Sequence, residues 1–126
     1  MQTYESGRES SILQDIKSGT KTVEARLARG KFLKYQLGDQ VYLREDFYED
    51  DTIVRSLPKQ CLVEITKTEK YAGFREMLDT VGYEYVMPRA ANIDEALQTC
   101  YRFYTAEEEA EFGALSVHFQ LVSDVS

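Results

Sequence analysis

Three charged side chains lie close together just after Gly19: Lys21, Glu24 and Arg26. A guanidinium grips a phosphate or carboxylate through two parallel hydrogen bonds. A carboxylate accepts from a base edge, or works as an acid or base. Lys21 stands at a corner, where a side chain can be aimed off the strict alternation of a strand. Glu24 and Arg26 are two residues apart and share one face of any strand formed here. The plainer reading of such a trio is a surface ion pair on a half-buried strand, and pattern alone favours it. If the three are exposed, each alanine substitution should change folding stability by no more than about 0.5 kcal/mol.

The other candidates are thinner. His118 is the single histidine, flanked at two-residue spacing by Ser116 and Gln120, which places it on a polar strand face. A Ser/His hydrolase needs an orienting third group and a nucleophile exposed at a turn, and neither is visible. Tyr83 and Tyr85 fall in a ring-rich stretch read as a loop, Tyr83 to Ala91. They suit stacking on a base as well as packing on the core. Cys61 and Cys100 sit on apolar faces and read as buried thiols in a reduced compartment. With one histidine and no C-x-x-C, neither a structural metal nor a cofactor is expected.

The elements that position these residues follow from periodicity. Met1 to Glu5 reads as a short edge strand. A helix capped by Ser10 or Ser11 carries Ile12, Leu13 and Ile16 on one face and runs to about Ser18. Gly19 is its natural stop, since glycine enters the left-handed conformation without strain. A strand from Thr22 to Leu27 then alternates, with Val23, Ala25 and Leu27 taken as the inward face and Thr22, Glu24 and Arg26 as the outward one. Ala28 to Leu37 is a basic connection whose Phe32 and Tyr35 can pack down. After the Gly38-Asp39 turn comes a strand with Val41 and Leu43 inward, then an acidic hairpin-like excursion, Glu45 to Asp51. Ile53 and Val54 read as a short return strand, which Pro58 separates from a longer one, Gln60 to Lys67. Helices follow over Tyr71 to Val81, behind Asn92, and behind Thr105, whose pairing with Glu108 has capping-box spacing. Gly113 precedes a last strand with Leu115, Val117, Phe119 and Leu121 on one face.

At 126 residues, 43% apolar and 29% charged, the chain is a single globular domain spanning 1–126. No apolar run approaches the roughly 20 residues a membrane helix needs, and the polar N-terminal stretch lacks a signal core, so the protein is expected in the cytoplasm with no membrane partner. The net charge of −7 argues against non-specific grip on a polyanion. The charge is uneven, however. Lys17 to Lys34 carries six basic residues against Glu24 alone, a local +5 that leaves −12 for the rest. Such a stripe suits one anionic ligand held in one place, or a solvated loop. Helices and strands together read as α+β, with a small mixed β-barrel enclosing Val23, Val41, Val63, Ile65, Val117 and Phe119.

The stretch Gly19-Thr20-Lys21-Thr22-Val23-Glu24-Ala25-Arg26 resembles the G-x-K-x-x-E-x-R signature of the ASCH domain, a member of the PUA-like superfamily. Gly38-Asp39 before Val41-Tyr42-Leu43, the helix beginning at Tyr71, and Tyr101-x-x-Tyr104 with the following glutamates and Gly113 resemble further landmarks of that family in order. The resemblance implies a PUA-like barrel flanked by helices, with RNA or a nucleotide-like ligand in the cleft between them. Gly19, Lys21, Glu24 and Arg26 are then the binding residues, with Tyr83 a candidate stacking partner. One branch of the ASCH-like family hydrolyses the amide of acetylated cytidine with a lysine and a threonine of this motif and a later glutamate. Lys21 matches the lysine. The threonine position falls on Glu24, Thr22 belongs to a different slot, and Glu84 is a guess for the later glutamate. For an amidohydrolase or ribonuclease of this kind, Lys21 and Glu24 would be the catalytic pair. A third reading is a protein-interaction module docking through Glu45 to Asp51.

Overall fold

The computed structural model describes residues 2–124. In chain order they form β1 (Thr3–Glu9), α1 (Ser10–Lys17), β2 (Val23–Leu27), a 3-10 turn (Gly30–Lys34), β3 (Gln40–Glu49), β4 (Thr52–Tyr71), α2 (Phe74–Val81), α3 (Tyr83–Val86), α4 (Ile93–Phe103), α5 (Ala106–Phe112) and β5 (Ala114–Asp124). The α+β class is as expected.

All five strands belong to one sheet in the order β1-β3-β4-β5-β2. β1 runs parallel to β3, and the other ladders are antiparallel. The expected closed barrel is not formed. β1 and β2 are the two edges, and no ladder joins them among the described residues. A side-chain bridge spans them instead, from Arg8 of β1 to Glu24 of β2. β2 is only five residues long and, among the described residues, pairs on one side alone, with β5.

The sheet is buried on both faces. Inside its curve, Leu13 and Ile16 of α1 pack with Tyr35, Val41, Leu43, Val63, Ile65, Leu115, Val117 and Phe119. Against the other face, Phe74, Met77, Leu78, Val86, Ala96 and Cys100 of the helices pack with Val23, Leu27, Tyr71 and Ala114. All six residues expected in the barrel interior are buried, but Val23 belongs to the helix-facing core.

Local signals were followed closely at the helix ends. Asn92 Oδ1 accepts from Glu95 N at 2.9 Å. Thr105 and Glu108 form the reciprocal capping box. Gly19 follows the end of α1 with φ +81°. The cap of α1 is Glu9 rather than a serine, with its carboxylate accepting from Ser11 N at 3.0 Å. Three further expectations are corrected. Pro58 does not divide two strands: β4 runs unbroken for 20 residues and absorbs the proline in a register shift, with Lys59 at φ +50°. The edge strand β1 continues to Glu9. The ring-rich stretch after Gly82 begins as a helical turn, α3.

Candidate functional site

Antiparallel register decides which way the motif faces. Glu24 lies opposite Val117 and Arg26 opposite Leu115, and both partners belong to the core inside the sheet. Val23, Ala25 and Leu27 lie opposite His118, Ser116 and Ala114, toward the helices. The polar face of β2 is therefore the inward one, the reverse of the sequence reading. The apolar face is covered by α2 to α4, and the charged face closes the mouth of the curved sheet.

The expectation of a partly exposed group holds for Arg26 but not for the other two. Lys21 and Glu24 are each 7% exposed. Lys21 Nζ donates to Val23 O at 2.9 Å and to Val86 O at 2.5 Å, tying β2 to α3, and stands 3.8 Å from Glu24 Oε2. Glu24 Oε1 accepts from Arg8 Nε at 2.6 Å. Arg8 is fixed in turn by Nη1, which donates to Ser6 Oγ and Gly7 O, both at 2.7 Å. Arg26 Nη2 lies 3.4 Å from Glu24 Oε2. One carboxylate thus serves three cations, a local surplus of two positive charges.

Burial alone would raise the pKa of Glu24. The positive charges of Arg8, Lys21 and Arg26 outweigh it and hold the carboxyl far below the ordinary carboxylate range. Burial pushes the Lys21 ammonium down, only partly offset by Glu24. Burial opposes the charge on Arg26 too, but Glu24 and the neighbouring Tyr104 more than restore it. Lys31, at the rim, is lowered by partial burial and by the nearby Arg8, Arg26 and Arg44.

Arg26 is the member with capacity to spare. Its guanidinium is partly exposed and lies 5.0 Å from the centre of the Phe32 ring, and its Nε has no hydrogen-bond partner among the described residues. The Tyr35 hydroxyl, on the same connection as Phe32, is likewise buried and unpartnered. The cavity that Arg8, Glu24 and Tyr35 share with the apolar interior is about 10 Å³, room for at most one water. The accessible part of this site is its mouth, where Arg26, Lys31 and Phe32 are presented. A wider depression, about 650 Å³, is elsewhere, between α2 and α5. There Glu109 is already engaged by Phe74 N and the Tyr101 hydroxyl, and no cluster of cations is present.

Of the sequence candidates, Lys21, Glu24 and Arg26 are brought together. Gly19 stands at the corner behind them, with open space on its side-chain side. Tyr83 packs on the helix-facing core, its hydroxyl 3.4 Å from Ala91 O, and Glu84 lies in the first turn of α3. Arg8 is the participant that sequence reasoning missed. The residues Tyr4, Ser6 and Arg8 do share one strand face, but a polar N-terminal stretch offers no pattern that pairs an arginine with a glutamate 16 residues on. His118 is hydrogen-bonded, its Nε2 at 3.1 Å from Ser116 Oγ. Ser116 is fully buried, so this pair presents no nucleophile to solvent. Cys61 and Cys100 are free buried thiols. Among the described residues no group of three or more His, Cys, Asp or Glu side chains is placed to hold a metal ion. No helix among the described residues is long and apolar enough to cross a membrane.

No family model matches the chain, and no curated protein does. Solved structures do. The hypothetical protein PH0355 is 24% identical over 97% of this chain and 100% of its own, with a TM-score of 0.78. The solution structure of PF0455 from Pyrococcus furiosus is 26% identical over 98% of this chain and 99% of its own, with a TM-score of 0.75. EF3133 from Enterococcus faecalis V583, of the DUF984 family, is 16% identical over 97% of this chain and 76% of its own, at 0.60. The chain shares their fold. Similar solved structures also include an ASCH domain from Lactobacillus crispatus JV V101, 18% identical over 96% of this chain and 80% of its own, at 0.47.

Proposed function

We propose that the protein is an ASCH-type domain that binds RNA or a nucleotide-like ligand through a phosphate at the mouth of the curved sheet. Arg26 is the ligand contact, with Lys31 and the Phe32 ring beside it. Lys21, Glu24 and Arg8 are positioning residues: their charges are consumed in holding β1, β2 and α3 together and in aiming Arg26. The observation that carries this reading is the partly exposed Arg26 guanidinium in a cluster where three cations share one carboxylate. A guanidinium so held is pre-organised for a bidentate oxyanion, which lowers the cost of ordering on binding. The global −7 confines attraction to this one place.

Lys21 lends the hydrolase reading no support, because its ammonium is buried and donates to two backbone carbonyls. Tyr83 as a stacking residue finds no support from its packing against the helices. The test is titration of labelled single-stranded RNA and of mononucleotides at two salt concentrations. Binding should weaken with salt on a shallow slope, since few cations reach the ligand. Absence of binding at low salt would remove the reading.

A further inference from the structure

The hairpin joining β3 to β4 runs out beyond the rest of the sheet. β1 pairs with β3 no further than Asp46, and β5 pairs with β4 no further than Cys61. From Phe47 to Leu57 the two strands therefore have only each other among the described residues, and every residue of Thr52–Lys59 is exposed. A two-stranded ribbon alone is marginal in water. This one nonetheless shows apolar side chains to solvent: Tyr48 49%, Ile53 44%, Val54 59% and Leu57 36%. Ile53 pairs with Tyr48 and shares its face, while Arg55 and Leu57 share the opposite face with their partners Phe47 and Glu45, because the register shift between Phe47 and Tyr48 reverses the alternation. The outer edge of β4 is unpaired over Thr52–Leu57 among the described residues. Proteins guard such edges with proline, lysine or a bulge. Here all three stand together at Pro58-Lys59, at the root, and leave the six residues beyond it open.

We infer that the Thr52–Leu57 edge is a docking site for an extended, basic segment of another protein, added as a further strand. Charge selects this occupant. Glu49, Asp50 and Asp51 are exposed at the tip, and the one cation of the ribbon, Arg55, lies over the Phe47 ring at 4.3 Å. A second copy is disfavoured, because each carries −7. Backbone bonds would supply affinity, and alternate apolar residues of the partner would cover the face that carries Ile53 and Tyr48. This surface is independent of the Arg26 mouth.

The two-residue turn Asp50-Asp51, with φ of +50° and +63°, makes Glu49 and Thr52 a hydrogen-bonded pair, so the Ile53 N–H points to the open edge. The probe is a synthetic ten-residue peptide alternating valine and lysine, titrated into the full chain by calorimetry and by amide exchange. It should bind, and it should slow exchange at Ile53. N-methylation of the alternate peptide residues whose N–H groups face the edge should weaken it by about tenfold or more, since about three backbone hydrogen bonds are removed. A valine–glutamate peptide should not bind, and Glu49→Lys and Ile53→Pro should each weaken the lysine peptide. The N-methylated peptide leaves the protein unaltered, so a fold damaged by Ile53→Pro cannot mask the outcome. Failure of the lysine peptide to bind, equal binding of its N-methylated form, or a dimer in light scattering that Ile53→Pro dissociates would each overturn the inference.

Discussion

The β1–β2 corner and the β3–β4 ribbon are both rich in charge, and they use it in opposite ways. At the corner Arg8, Lys21 and Glu24 are buried and Arg26 is partly exposed, each tied to a named partner, and Glu24 is outnumbered three to one. On the ribbon the carboxylates of Glu49, Asp50 and Asp51 are exposed. Charge in water costs little and contributes little. Charge out of water is costly unless every member is paired, so the corner stands or falls as a unit. The same residue types thus brace one region and decorate the other.

Glu24→Ala should break the corner most severely, leaving Arg8, Lys21 and Arg26 buried without a counter-charge. Urea unfolding should show a loss of about 3–5 kcal/mol. The acid limb of stability should change with it. The folded pKa of Glu24 is depressed, so its contribution is fully present above its unfolded value of about 4.3 and is lost as pH falls below that. Unfolding followed from pH 6 to pH 2 should show a shallower slope in Glu24→Gln than in the parent. Lys21→Ala comes next, at about 2 kcal/mol, because it strips donors from the buried carbonyls of Val23 and Val86. A double-mutant cycle between Arg8→Ala and Glu24→Ala should return a coupling of about 0.5–3 kcal/mol, since each loss already disables the other partner. On the ribbon, Val54→Ser should move stability by no more than about 0.5 kcal/mol in the same assay. Equal effects at Glu24 and Val54 would erase the contrast.

What the sequence showed depended on how local the deciding interaction is. The caps at Asn92 and Thr105 lie within four residues of their partners and were legible. The alternation of β2 revealed two faces but not which one looks inward, because the helices that cover Val23 and Leu27 arrive some 50 residues later. For the same reason Lys21, Glu24 and Arg26 were found as a group while their burial was not. Arg8 was invisible because its pairing with Glu24 exists only once β1 and β2 become the two edges of one curved sheet. Pro58 was read as a break because a proline in a central strand is excluded; on this open edge it is tolerated.

The central claim is that a buried brace presents Arg26 to an anionic ligand. Arg26→Gln tests it most directly, because Arg26 is the partly exposed member and the brace of Arg8, Lys21 and Glu24 stays in place. Labelled RNA titrated into parent and variant at low salt, with urea unfolding of both, separates binding from folding. The account predicts a loss of affinity of about tenfold or more with stability lowered by no more than about 1 kcal/mol. Unchanged affinity in a folded Arg26→Gln protein would contradict it.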